Sequence, residues 1–157
     1  MSDASFEDGG ERPLRLIAED VGDLEVISTL VQDAVLSVSD ISFDRKRRRL
    51  GLLLNRFRWE DAENAKKRSR PFERVRSVLS IDDAMKVATQ GVDPSEKDTV
   101  LSVLSLGFEP GEDGTGRVIL TLAGDGAIAA DVEALNVVLQ DVTRPYLAPS
   151  GAEPSHE

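Results

Sequence analysis

Apolar and polar residues alternate with period two over much of this chain, and with helical spacing in two places. Leu14, Leu16 and Ala18 alternate with Arg15, Ile17 and Glu19, which predicts a first strand. From Asp23 to Asp33 the period lengthens. Leu24, Ile27, Leu30, Val31, Ala34 and Val35 fall on one stripe, Glu25, Thr29, Gln32 and Asp33 on the other, and Asp20 or Asp23 can cap the first turn. That is an amphipathic helix. Asp131 to Asp141 echoes this stretch, with acids and a glutamine at matching places and Val132, Leu135, Val138, Leu139 and Val142 as its apolar stripe, so it predicts a second, C-terminal helix and raises an internal duplication.

What lies between reads mostly as strand. Ile41 and Phe43 start a short strand that turns through Asp44 to Arg47 into a longer one, Arg49 to Trp59. Leu50, Leu52 and Leu54 share one parity, Phe57 and Trp59 the other. That strand is therefore covered on both faces, or a bulge near Asn55 resets its register. Residues 60–71 are charged and aperiodic, which predicts a mobile connection. Arg74 to Ile81, Met85 to Thr89, Val100 to Phe108, Val118 to Leu122 and Ala127 to Ala130 follow as strands separated by Asp, Gly and Pro turns. Strands without helices between them predict an α+β domain over 13–147, with a mostly antiparallel sheet of about seven strands and two amphipathic helices. The alternative is a pleckstrin-homology-like bent barrel capped by the C-terminal helix. Residues 1–12 predict a disordered acidic leader and residues 148–157 a disordered tail.

Composition narrows the chemistry. The 157 residues contain no cysteine, and the single histidine is His156, so thiol chemistry, cysteine-ligated metals and most histidine catalysis fall away. No apolar run reaches membrane-spanning length and no signal peptide is present, so a cytoplasmic location without membrane contact is expected. The formal net charge of −10 is unevenly distributed. Thirteen of the nineteen Lys and Arg lie between Arg45 and Arg76, against four acids.

Arg45, Lys46, Arg47, Arg48 and Arg49 at a hairpin tip, with Arg56, Arg58, Arg74 and Arg76 beyond, are the candidate anion or partner-binding residues. Phosphates or acidic side chains need only guanidinium and ammonium groups on one surface, and Phe57 and Trp59 beside Arg56 and Arg58 suggest base stacking. The bland reading is a solvated strand face with its aromatics in the core. An acidic protein, a nucleic acid, or the acidic remainder of a second copy are the partners this charge pattern allows.

Other motifs carry less. Gly124-Asp125-Gly126-Ala127-Ile128-Ala129 matches the dinucleotide fingerprint superficially, but no second parallel strand follows, so it reads as a turn and no cofactor is expected. The carboxylate pairs Asp82-Asp83, Glu112-Asp113 and Asp20 with Asp23 each suffice as turn or cap. Their convergence in a pocket would define a small enzyme or metabolite-binding protein, and a structural homodimer is the third reading.

The runs Leu14 to Asp20, Leu30 to Val35, Leu53-Leu54-Asn55-Arg56-Phe57-Arg58-Trp59-Glu60 and Arg74 to Leu79 resemble an uncharacterised alphaproteobacterial family of about 150 residues, a domain of unknown function. The resemblance spans about Leu14 to Pro145 and is most specific over Asn55 to Glu60. It implies a cytoplasmic single-domain protein and carries no activity, cofactor or catalytic residue. The charge split, not the resemblance, makes a non-enzymatic binding or adaptor domain that uses the Arg45 to Arg76 face on an acidic protein or nucleic acid the leading expectation.

Overall fold

A computed structural model describes residues 13–147; the predicted leader and tail lie outside them. The elements are β1 (Arg15–Ala18), α1 (Val21–Val31), β2 (Val35–Ser37), β3 (Ile41–Asp44), β4 (Arg49–Phe57), α2 (Trp59–Lys67), β5 (Glu73–Ile81), β6 (Ala84–Gln90), β7 (Val100–Pro110), β8 (Gly116–Leu122), β9 (Gly126–Val132), β10 (Val137–Asp141) and β11 (Tyr146–Leu147). All pairings are antiparallel, in the order β1-β10-β5-β4-β2-β7-β8-β9-β6, with β3 beside β4 and β11 beside β5.

The expectation of about seven strands is therefore wrong: the sheet has eleven, and it stays open rather than closing into a pleckstrin-homology-like barrel. The C-terminal helix is also absent. Asp131 and Val132 end β9, and Val137 to Asp141 form β10, whose inward residues Val137, Leu139 and Asp141 alternate with Val138 and Gln140. A stripe spaced for one helix face equally fits two short strands around a turn. The β-branched Val137-Val138 pair and the waiting edges of β1 and β5 select the strand. The echo of the first helix is thus not a structural repeat.

The second helix is α2, in the segment expected to be a mobile connection. Glu60 and Asp61 occupy its first turn and Lys66 and Lys67 its last, matching the helix dipole, while Ala65 and Asp61 are buried. The first helix forms where expected. Asp20 caps it by accepting from the Asp23 N–H (2.8 Å), and Leu24, Ile27 and Val31 are its buried stripe; Ala34 lies past its end and Val35 already belongs to β2.

β5 and β6 are joined by the tight Asp82-Asp83 turn, yet they stand third and last in the sheet order, so the sheet must fold over on itself. The corner is tied by backbone bonds from Ala84 to Arg48, from Asp82 to Asn136 and from Glu133 to Asp83, all 2.9–3.0 Å. One core fills the fold. Leu50, Leu52, Leu54, Leu79, Ile81, Val118, Leu120, Leu122, Ile128 and Leu139 line it, and α1 packs into it against β7, β1 and β4. Each of these leucines contributes about 1.5–3 kcal/mol by leaving water.

Candidate functional site

β4 decides where the arginines go. Its nine residues run without a register shift from Arg49 beside Asp44 to Phe57 beside Arg74, so the hairpin tip and the Arg56 end lie about 26 Å apart at ~3.3 Å per residue. The candidate residues therefore form two groups. At the tip, Arg47 pairs with Asp44 (3.8 Å), Arg48 with Glu133, and Arg49 with Asp82 (2.6 Å), while Arg45 lies over the Phe43 ring at 5.9 Å and Lys46 is exposed. Three of these five charges are spent on the chain's own acids.

At the other end, Arg56 is wholly buried, because it shares the inward parity of Leu50, Leu52 and Leu54. Its Nε donates to Ser77 Oγ (2.9 Å), both terminal nitrogens to Glu60 (2.9 and 2.8 Å), and one also to Asp141 (3.0 Å). Asp141 further accepts from Ser77 Oγ (2.6 Å) and the Leu14 N–H (3.1 Å). Arg58 is almost buried beside Glu73, with Asp61 and Glu60 at 3.7 and 3.8 Å, and Arg70 grips Asp61 through two 2.7 Å bonds. Burial works against the charges of Arg56 and Glu60, but their mutual bonds outweigh it, so the Arg56 pKa is raised and the Glu60 pKa lowered. The Arg70 hydrogen bond likewise lowers Asp61.

A cleft of about 560 Å³ opens beside this network, lined by Pro13, Arg58, Glu73, Asp141, Thr143 and Arg144 among others. Its carboxylates are already held by Arg58 and Arg56. The neighbouring Glu60 and Asp61 are shifted toward the ionised form, the wrong direction for a general acid near neutral pH. Asp82, Asp83 and Glu112, the carboxylates singled out in the sequence, do not line it; the first two form the β5–β6 turn and Glu112 lies at the β7–β8 tip. Among the described residues no cluster of His, Cys, Asp or Glu is arranged for a metal. Gly124 and Asp125, both with positive φ, make the β8–β9 hairpin turn rather than a phosphate loop.

The base-stacking idea meets the same packing. Phe57 is fully buried, edge-on to Trp59 (4.6 Å, 63°) and against Phe72, and Trp59 Nε1 donates to Gln32 O (2.9 Å). Phe57 lies opposite in parity to the core leucines, so the far end of β4 is covered on both faces and no bulge is needed.

The remaining arginines share the outer face of β1, β10, β5 and β4. The register sets Arg15, Gln140, Val78 and Leu53 in one row across these strands, and Ile17, Val138, Ser80 and Gly51 in the next. On the other side of Val78, Val142 donates its N–H to Arg76 O (2.8 Å), Arg76 faces Asn55, and Arg74 faces Tyr146 and Phe57. Residues paired across an antiparallel sheet point to the same side. These rows of the face carry Arg15, Arg74 and Arg76 around Val78, Leu53 and Val138 and contain no carboxylate, whereas at the other end of the same face Arg49 stands beside Asp44 and Asp82. Arg74 is held by Asn55, Nε to Oδ1 at 2.6 Å and a terminal nitrogen to the carbonyl at 3.0 Å, and burial lowers its pKa against the weaker attractions of Tyr146 and Asp33. Arg15 and Arg76 are exposed and make no ion pair among the described residues.

The family model described as Protein of unknown function (DUF2948) matches residues 14–156. The chain belongs to this family. No curated protein and no solved structure matches it. In this DUF2948 chain the string Asn55 to Glu60 forms the floor of the buried arginine network and one row of the outer face. Glu60, Ser77, Asp141 and Arg15 were not among the candidate residues. The alternation in Leu14-Arg15-Leu16 and Arg74-Val75-Arg76 could have shown which arginines turn outward, but nothing local shows that β10 bridges β1 and β5. No helix among the described residues of this DUF2948 chain is long and apolar enough to cross a membrane.

Proposed function

We propose that the domain is a non-enzymatic binding module whose outer sheet face takes an acidic protein segment bearing aliphatic side chains. One observation carries this reading. In a chain of net charge −10, the outward rows from Arg15 and Ile17 across to Arg74 contain three arginines and no carboxylate, grouped around Val78, Leu53 and Val138, while Glu19, Asp44 and Asp82 stand beyond them at the Arg49 end of the face. An aliphatic centre with a cationic rim suits carboxylates flanking a Leu or Val. Arg74 is partly desolvated, which lowers its pKa against the weaker attractions of Tyr146 and Asp33, so an incoming anion adds electrostatic stabilisation there. Protein is favoured over nucleic acid because Phe57 and Trp59 are occupied in packing and offer no stacking platform. Catalysis is disfavoured by the saturated carboxylates of the cleft.

The test is fluorescence anisotropy of the full chain with labelled peptides alternating Asp or Glu with Leu or Val, beside RNA, single-stranded DNA and duplex DNA, at about 50 and 200 mM salt. Peptide binding that weakens with salt, falls about tenfold or more in Arg74→Glu/Arg76→Glu, and survives Arg45→Glu/Lys46→Glu supports the reading. Preference for a nucleic acid, dependence on the tip residues instead, or no peptide binding at the lower salt would overturn it.

A further inference from the structure

β1 ends the sheet, and no other described strand lies on its far side. Asp141 donates its N–H to Leu14 O (2.9 Å), and the register continues as Leu16 with Leu139 and Ala18 with Val137. Because backbone groups alternate in direction along an antiparallel pair, Leu14, Leu16 and Ala18 turn theirs to β10, and Arg15, Ile17 and Glu19 turn theirs away from the sheet. Those outward groups are a template for one more strand. Their side chains are informative. Ile17 is 45% exposed, and Arg15 and Glu19 are exposed without an ion pair among the described residues.

We infer that this edge pairs with β1 of a second copy of the chain, antiparallel and about a two-fold axis through Ile17. In that register Ile17 meets Ile17 of the second copy as a hydrogen-bonded pair. Each Arg15 faces Glu19 of the other copy on the same side of the sheet, so one contact is made twice. On the outer face Val138, Ile17 and their counterparts form one apolar stripe across the junction, which the inter-strand register already aligns within each copy. Self-complementarity singles out a second copy: a strand of arbitrary sequence satisfies the backbone, but only this one places opposite charges at both ends of a symmetric pair. The opposite edge of the sheet, β6, is protected by a register shift between Ala84 and Lys86 and by the Lys86 charge, the usual means of blocking edge pairing.

The experiment is light scattering of the full chain over a wide concentration range, with variants at exposed positions that leave the core and the β10 ladder untouched. A species of twice the 17.1 kDa chain mass is expected. Ile17→Lys and Arg15→Glu should each raise its dissociation constant about tenfold or more, since like charges then oppose each other across the edge. Arg15→Glu combined with Glu19→Arg should restore it. Because the chain has no cysteine, Ile17→Cys gives a clean second readout: a short thiol crosslinker should trap a covalent dimer, and Ala88→Cys on β6 should give none. A monomer at every concentration, a dimer indifferent to Ile17→Lys and Arg15→Glu, failure of the charge swap to restore association, or crosslinking at Ala88 instead of Ile17 overturns the inference.

Discussion

Arg56 shows how much one residue can be asked to do. A guanidinium with no exposed surface is tolerated only because Glu60, Asp141, Ser77 and the Phe57 carbonyl take its donors between them. These partners come from β4, α2, β5 and β10, so the network ties the start of α2 to the sheet. Its geometry needs a planar fork, which Lys lacks. Removing the cation leaves Asp141 buried and Glu60 half-covered without their main partner, which costs about 3–5 kcal/mol in comparable buried pairs. Arg56→Met is therefore expected to lower unfolding stability by about that amount, and Arg56→Lys to recover only a small part. Urea denaturation measures both, and a loss below about 1 kcal/mol for Arg56→Met would show the network to be peripheral. The residues that carry the proposed binding, Arg74 and Arg76, sit on the opposite face of the same strands. The alternation of β5 separates a structural arginine network from an outward cationic face.

At the scale of elements, the hairpin β7–β8 shows what a strand glycine is for. A Cβ on Gly116 would sit 2.5 Å from the Glu109 carbonyl and would also strike the Phe108 ring. The ring can move, but the backbone can do so only by spreading the hairpin at the Pro110–Gly116 pair. Gly116→Ala is thus expected to destabilise by about 1–3 kcal/mol, the usual range for overpacking, whereas alanine at Gly107, where nothing lies within 4 Å, should be close to neutral. Equal effects at both positions in thermal denaturation would refute this account. Element identity was legible where period and caps agreed, as in α1 with Asp20 and in β4 with its alternating leucines. It failed at α2 and β10 for related reasons. α2 has almost no apolar stripe to detect, being fixed by dipole-matched charges and by the ion pairs of Glu60 and Asp61 with arginines from outside the helix. β10 has a stripe that either period accommodates, and the neighbouring strand edges settled it.

For the whole molecule, the net charge of −10 and the buried ion pairs together set the response to acid. Glu60 and Asp61 have folded-state pKa values below their ordinary ones, so the unfolded chain binds protons more readily than the folded one as pH falls. Their contribution is fully present above the ordinary carboxylate range, about pH 4, and is lost as pH drops through the lower folded values. The urea midpoint should accordingly change little between pH 7 and 5 through these groups and fall below about pH 4.5. Glu60→Gln should start from a lower stability and lose less on acidification. A midpoint that stays level to pH 3 would contradict the ion-pair account. The proposed dimer adds a further consequence at this scale: pairing at β1 would leave Arg74 and Arg76 of both copies facing outward, giving a partner with two acidic segments two sites on one continuous sheet.

The sequence by itself determined the periodicities, the capped first helix, the turns at Asp82-Asp83 and Gly124-Asp125-Gly126, the absence of cysteine chemistry, and the concentration of basic residues between Arg45 and Arg76. Each depends on near neighbours in the chain, or on composition alone. Only the tertiary structure decided that β10 is a strand, that Arg56 is buried while Arg76 is exposed, that the hairpin-tip arginines neutralise acids from distant turns, and that Arg15 joins Arg74 and Arg76 on one face. The physical reason is common to all four. Strand pairing and charge compensation are satisfied by partners far away in sequence, and a segment able to take two periods or two faces takes the one that the rest of the sheet leaves open.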